Sequence, residues 1–330
     1  MQTRRRFVGG LGAAALGAFL APLQALAQEL GHARIVIGFP PGGVTDITAR
    51  RIAERLPAGA YTRNSVLVEN KSGAGGRIAC ETVKAAPPDG LTLLLTPCSC
   101  MTIFPHTYRQ LGYDPFKDFA PVSIAINVTL SLAVGPLVPR GVTTLPALLQ
   151  WFRENPRHAS FGTPGQGGTG HFIGALIGIE AGVPLQHVGY RGSVPAISDL
   201  MGGQIAATVT PSPDALSQHR AGKLRVLATS GAERTPFTPD VPTLAEAGFE
   251  ILTTDEWFGF YAPAATPAAI VAAASSGINA ALKDKYVVDA LAAVGVVTKA
   301  STPEQMAQSQ RQEFLRWGPL VKRVGFTADS

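Results

Sequence analysis

Three stretches of this 330-residue chain join a short apolar run to a glycine-rich turn and then to a helix-like pattern. They read "RIVIGFPPGGVTDITAR" from Arg34, "VLVENKSGAGGRIACETV" from Val66 and "SFGTPGQGGTGHFIGALIG" from Ser160. In parallel α/β units such turns fall at the carboxyl ends of strands, where open sheets bind ligands. Backbone N–H groups of the turn and of the following helix N-terminus form an anion site there. Glycine removes the Cβ that would keep a ligand off the backbone. Hydroxyl groups at Thr45, Ser72, Thr163 and Thr169 add donors. Singly, each turn reads equally well as a plain strand-to-helix connection. Three together, with no catalytic group beside them, put the anion-site reading level with the structural one. Asp46 would repel an anion, so it reads better as a first-turn acid favourable to the helix dipole, with contact to a ligand amine as the other reading.

Other chemistries find less support. "GQGGTG" at residues 165–170 matches the dinucleotide fingerprint and sits between a strand and a helix start. The next strand, however, ends in Tyr190-Arg191 with no acid for a ribose; only Arg191 could take a 2′-phosphate. The alternative function is therefore an exported nucleotide-dependent enzyme using this loop. No G-x-S-x-G elbow, H-E-x-x-H pair or Walker lysine occurs. His171, in the first turn of the third helix, either lines a cleft or packs, and packing is favoured. "CSC" at residues 98–100 with His106 lacks a fourth ligand at a familiar spacing, so no metal is expected. Of the three cysteines, Cys80 with Cys98 or Cys100 is the candidate disulfide, and three buried thiols are the alternative.

The elements that must position these turns alternate short apolar runs with helix-like segments, which argues an α/β fold with largely parallel sheet. Strands are expected at 34–38, 65–69, 91–96, 130–135, 159–163, 185–190, 205–209, 224–230 and 259–262. Helix starts are marked at Thr144, Ser193 and Thr266-Pro267, and by the capping box of Thr302-Pro303-Glu304-Gln305. The C-terminal amphipathic helix is expected to be interrupted or to end near Gly318-Pro319. Residues 1–27 read as a cleaved export signal of twin-arginine type: "TRRRF", a weakly apolar run, and "ALA" before the cut after Ala27. Its three arginines leave with it, so the mature chain carries 25 basic against 23 acidic side chains. That balance offers no basic block for nucleic acid or a membrane surface. The chain is long enough for two lobes, 28–127 with 252–330 and an inserted 128–251.

With these turns in view, the chain resembles the periplasmic solute-binding proteins of tripartite tricarboxylate transporters, the Bug family. "FPPGGVTDITARRIAERL", "VENKSGAGGRIACETVKAAPPDGLTLLL", "FGTPGQGGTGHFIGALI", "HVGYRGSVPAISDLMGGQI", "HRAGKLRVLATSGAERTPFTPDVPTLAEAGF" and "WFGFYAPAATP" carry the likeness in order and spacing. The resemblance implies a two-lobed type II periplasmic binding protein, a Venus flytrap with mainly parallel sheets flanked by helices. It implies a monomeric, periplasmic, non-enzymatic receptor without a cofactor. Such a receptor holds a small carboxylate between its lobes and delivers it to the transporter's membrane subunits. The implied ligand-binding residues are Pro41, Gly42, Gly43, Thr45 and Asp46, then Ala74, Gly75 and Gly76 of the first lobe. The facing lobe contributes Gly162, Thr163, Gly168, Thr169 and His171. Ser99, Tyr190 and Thr210 complete the set. Where the family often has an acid or amide, before "PSAL", this chain reads "TVTPSPDAL". That departure points to a plain or aromatic carboxylate rather than an amino acid.

Overall fold

The computed structural model describes residues 32–58, 61–62 and 64–328. The export signal expected at 1–27 lies outside them. Along the chain run β1 (Arg34–Ile37), α1 (Val44–Ala53), β2 (Leu67–Asn70), α2 (Arg77–Lys84), β3 (Thr92–Pro97), α3 (Cys98–Thr102), α4 (Phe104–Thr107) and β4 (Phe119–Val128). A single residue, Thr129, then separates β4 from β5 (Leu130–Val134). After it come α5 (Leu145–Glu154), β6 (Ser160–Thr163), α6 (Thr169–Ala181), β7 (Gln186–Gly189), α7 (Ser193–Met201), β8 (Ala207–Pro211), α8 (Ser212–Arg220) and β9 (Arg225–Thr229). The chain returns through β10 (Glu256–Pro263), α9 (Ala268–Ala281), α10 (Lys285–Ala293), β11 (Val297–Thr298) and α11 (Pro303–Val324).

These strands form two sheets, ordered β11-β4-β10-β3-β1-β2 and β7-β6-β8-β5-β9. Each carries its own core. Ile35, Ile37, Leu93, Leu95 and Phe260 anchor the first, and Leu132, Phe161, Leu176 and Val209 the second. Parallel pairing holds for β1 with β2 and β3, and for β6 with β7 and β8. The sheets are nonetheless mixed. β10 runs antiparallel to β3 and β4, and β5 antiparallel to β8 and β9. The cause is the pair of crossings: β4 carries the chain out of the first lobe and β10 brings it back, so they must oppose each other. An antiparallel β10 also brings its own amino end, Glu256, to the edge where β3 ends.

Among the elements that depart from the sequence expectation are β4 and α11. β4 was not anticipated, because Pro121 interrupts its apolar run. The proline is tolerated because β11 covers β4 only at Ile126 and Asn127, leaving the outer edge open at Pro121. Helix α11 passes through Pro319 without ending. Pro319 and Leu315, whose carbonyl loses its donor, lie on the exposed face, where water can replace the missing bond. Helix α11 also ties the lobes together. Trp317 packs on Phe172 of α6, and Arg323 pairs with Glu180.

Candidate functional site

The carboxyl ends of β1, β3, β6 and β8 and the amino ends of β5 and β10 converge on a cavity of about 60 Å³ between the lobes. Of the residues singled out in the sequence, Gly43, Thr45, Gly75, Ser99, Thr163, Gly168 and Thr169 line it. Pro41, Gly42, Asp46, Ala74, Gly76, Gly162, His171, Tyr190 and Thr210 do not. Each of several has another occupation. The Asp46 carboxylate accepts from Gly42 N–H at 3.0 Å, from Arg50 and from Asn70. Burial alone would raise its pKa, but Arg50, the Gly42 N–H and Asn70 outweigh it and hold the carboxyl below its usual range. His171 accepts from Gly167 N–H through Nδ1 at 3.1 Å and stacks on His187 with ring centroids 3.9 Å apart. Burial pushes its pKa down to about 3, with His187 adding to the effect, so it packs beneath the third turn as a neutral ring. The Tyr190 hydroxyl donates to Asp199, and its ring covers Gly162. Gly76 lies at φ 99°, where a Cβ would also meet the Phe39 ring and Cys100 Sγ at 3.3 Å. Its glycine serves packing.

The structure has the alternative that the sequence left open beside a disulfide: Cys80, Cys98 and Cys100 are free, buried thiols. They belong to one apolar cluster with Met101, Phe104 and Tyr261, where a thiol behaves as a small hydrophobe. Burial raises the Cys100 thiol well above its ordinary value, and the neighbouring Cys80 thiol pushes the same way.

The "GQGGTG" loop has a structural explanation without a nucleotide. A Cβ on Gly170 would stand 2.6 Å from the Val209 carbonyl, and one on Gly165 would stand 3.0 Å from Gly75 Cα across the cleft. Its glycines let α6 lie against β8 and let the two lobes meet.

Two ionisable cavity residues escaped the sequence reading: Asp214 and Glu256. Both reach across the lobes. Asp214, in the first turn of α8, accepts from the Val44 N–H at 2.7 Å and so caps α1 from the opposite lobe. Glu256, at the head of β10, accepts from the Thr169 hydroxyl of α6 at 3.0 Å. Burial pushes Asp214 up to about 6, opposed by the Ser193 hydroxyl and the Val44 N–H. Burial likewise pushes Glu256 up to about 7, against the Ser99 and Thr169 hydroxyls, with Glu313 and Asp214 adding to the rise. A signal for Glu256 did exist, since it is an acid at the head of the apolar run Trp257–Pro263. Asp214 offered none, because a first-turn acid is ordinary in a helix.

Thr163 donates its hydroxyl proton to the Gly165 carbonyl at 2.6 Å and therefore accepts from His187 Nε2–H at 2.7 Å. It holds the turn's shape instead of donating to a ligand. Thr169 and Gly170, at the start of α6, line the cavity, and their N–H groups belong to the first turn, which no intrahelical carbonyl reaches. Helix α6 has Gly168 at its N-cap with no side-chain cap. A short anion fits there, with the helix dipole in its favour.

The chain matches a family described as "Tripartite tricarboxylate transporter family receptor" over residues 48–326. Protein BugT of Bordetella pertussis is 32% identical over 306 residues, which covers 92% of this chain and 93% of BugT. Among solved structures, R. palustris Rpa4515 with adipate superposes with TM-score 0.84 at 32% identity, covering 90% of this chain and 98% of that one. MatC of Rhodopseudomonas palustris with bound malate gives 0.82 at 28% identity, covering 88% and 98%. The two-lobed frame, the cleft lined by glycine turns and this likeness along nearly the whole chain agree: the protein belongs to the tripartite tricarboxylate transporter receptors, periplasmic solute-binding proteins of the Bug type.

Proposed function

We propose that this chain captures a small carboxylate between its lobes and hands it to the membrane subunits of a tripartite tricarboxylate-type permease. The observation that carries the reading is the uncapped N-terminus of α6, Gly168–Gly170, opening into a cleft that Thr45, Gly75 and Ser99 also line. Backbone donors there select an acid without a lysine or arginine in the cavity. Adipate in one structural neighbour and malate in another support a carboxylate ligand. Capture by lobe closure and release by opening supply the working motion, and no bond of the ligand is made or broken. Isothermal titration against short-chain carboxylates and their carboxamides tests this. Acids are expected to bind at least tenfold more tightly than the matching amides. Equal binding of acid and amide would remove the carboxylate from the reading. Transport of the bound acid in cells carrying the permease, lost when this chain is deleted, tests the delivery step.

A further inference from the structure

Glu256 is buried at the head of β10, lines the cavity and stands beside the start of α6. Its carboxyl accepts at 3.0 Å from the hydroxyl of Thr169, the first residue of that helix, and is hydrogen-bonded to Ser99 as well. Ser99 Oγ in turn lies 3.7 Å from where a Cβ on Gly168, the α6 N-cap, would stand. A carboxylate seated on the α6 N-terminus is therefore a neighbour of the Glu256 carboxyl.

No cation stands by to compensate the pair. Among the described residues, Asp214 and Glu256 are the only ionisable side chains that line the cavity, and no lysine, arginine or histidine does. The groups that face Glu256 from the surrounding elements add no positive charge. Glu313 of α11 and Asp214 of α8 are acids, and burial keeps the Cys98 and Cys100 thiols of α3 protonated. On β4 its partner is Val128. Arg316 of α11 is taken up by Glu313, the Thr254 hydroxyl and the Thr253 carbonyl. Asp214 has its own donors, since the Val44 N–H and the Ser193 hydroxyl support its ionised form.

We infer that Glu256 holds a proton when the site is filled and donates it in a hydrogen bond to the ligand's carboxylate. The inference rests on the carboxylate reading above and adds the side chain that meets the acid. Two carboxyl groups that share a site do not both ionise, because little water is left to screen their repulsion. One proton between them turns that repulsion into a short, charge-assisted O–H···O bond. The empty site is already poised for this, since burial, with Glu313 and Asp214 adding to it, places Glu256 at about 7. A bound carboxylate raises it further. Below about pH 7 the proton is in place before the ligand arrives, and affinity is level. Above it, capture must draw one proton from solvent, release returns it, and affinity falls by up to about tenfold per pH unit. No other bond is made or broken.

Titration calorimetry on the intact protein with butyrate, malate and adipate tests this between about pH 6.5 and about pH 9. The acid that binds most tightly is then titrated at about pH 8 in HEPES and in Tris, whose ionisation enthalpies differ. The two heats are expected to report uptake of about one proton per ligand, and the dissociation constant to rise about fivefold to tenfold between about pH 7.5 and about pH 8.5. Glu256→Gln, checked for folding by thermal melting, places a neutral donor at the same position. It is expected to lose the proton uptake and to bind about fivefold more tightly than wild type at about pH 8.5. Binding by the wild-type protein without proton uptake would overturn the inference and leave the carboxylate reading standing. That measurement needs no variant. Uptake that persists in Glu256→Gln would assign the proton to another group, and weaker binding by this variant at high pH would show that the site uses an ionised Glu256. Either result overturns the inference. Failure of all three acids to bind would overturn the carboxylate reading with it.

Discussion

Asp214 does for α1 what a serine or asparagine at the helix's own N-cap ordinarily does, because Gly43 has no side chain to do it. The cap comes from the other lobe, so the bond exists only while the lobes are together. Glu256 makes a second bond between the lobes, accepting from the Thr169 side-chain hydroxyl. Both carboxyls titrate higher in the folded protein, about 6 and about 7, than their ordinary 3.8 and 4.5. Folding thus favours their protonated forms. Their contribution is complete below about pH 4 and is lost as pH rises through those folded values. The melting temperature of the unliganded protein is expected to fall by a few degrees between about pH 5 and about pH 8. Glu256→Gln should flatten that slope. A wild-type curve that is level or rising over the same range would show that the two groups ionise without cost.

At the scale of elements, the close approach of α6 to β8 depends on Gly170, whose absent Cβ leaves room for the Val209 carbonyl. Gly170→Ala is expected to destabilise by about 1–3 kcal/mol, the usual cost of overpacking, measurable by denaturant unfolding. A loss under about 0.5 kcal/mol would show that α6 shifts freely. The junction of β3 with α3 makes a second prediction. Titration of denatured, unreduced protein with a thiol reagent should count three free thiols. A count of one would restore the Cys80 bridge. The pattern of strands and helices was largely legible at this level. The apolar runs at β1, β3, β6 and β9 and the capping box of α11 are local signals, and the structure places elements at each. β4 was not legible, because its proline is acceptable only on a sheet edge that the pairing of distant strands creates. The continuity of α11 through Pro319 was hidden for the same kind of reason, since exposure of that face is a tertiary property.

Closure belongs to the whole molecule. Gly165 meets Gly75 across the cleft, and Gly192 meets Pro40. Gly165→Ala puts a methyl into the first contact at 3.0 Å with no demand on its φ angle. The substitution is expected to weaken ligand binding about tenfold, with the unliganded melting temperature within about 1 °C of wild type. Unchanged affinity would mean that the lobes close without bringing these turns together. Helix α11 packs on both lobes through Trp317, Leu320 and Val324.

By itself, the sequence determined that three glycine turns follow strands and open helices, and that the chain is of the Bug type. Both are properties of local spacing, written in consecutive residues. Only the tertiary structure decided what those turns face. Asp46, His171 and Tyr190 turn away from the cavity because nearer partners claim them, and Asp214 and Glu256 enter it from segments 170 and 87 residues away from the groups they bind. A hydrogen bond between distant segments leaves no periodic trace in either. The sign of the cavity is the sum of such bonds.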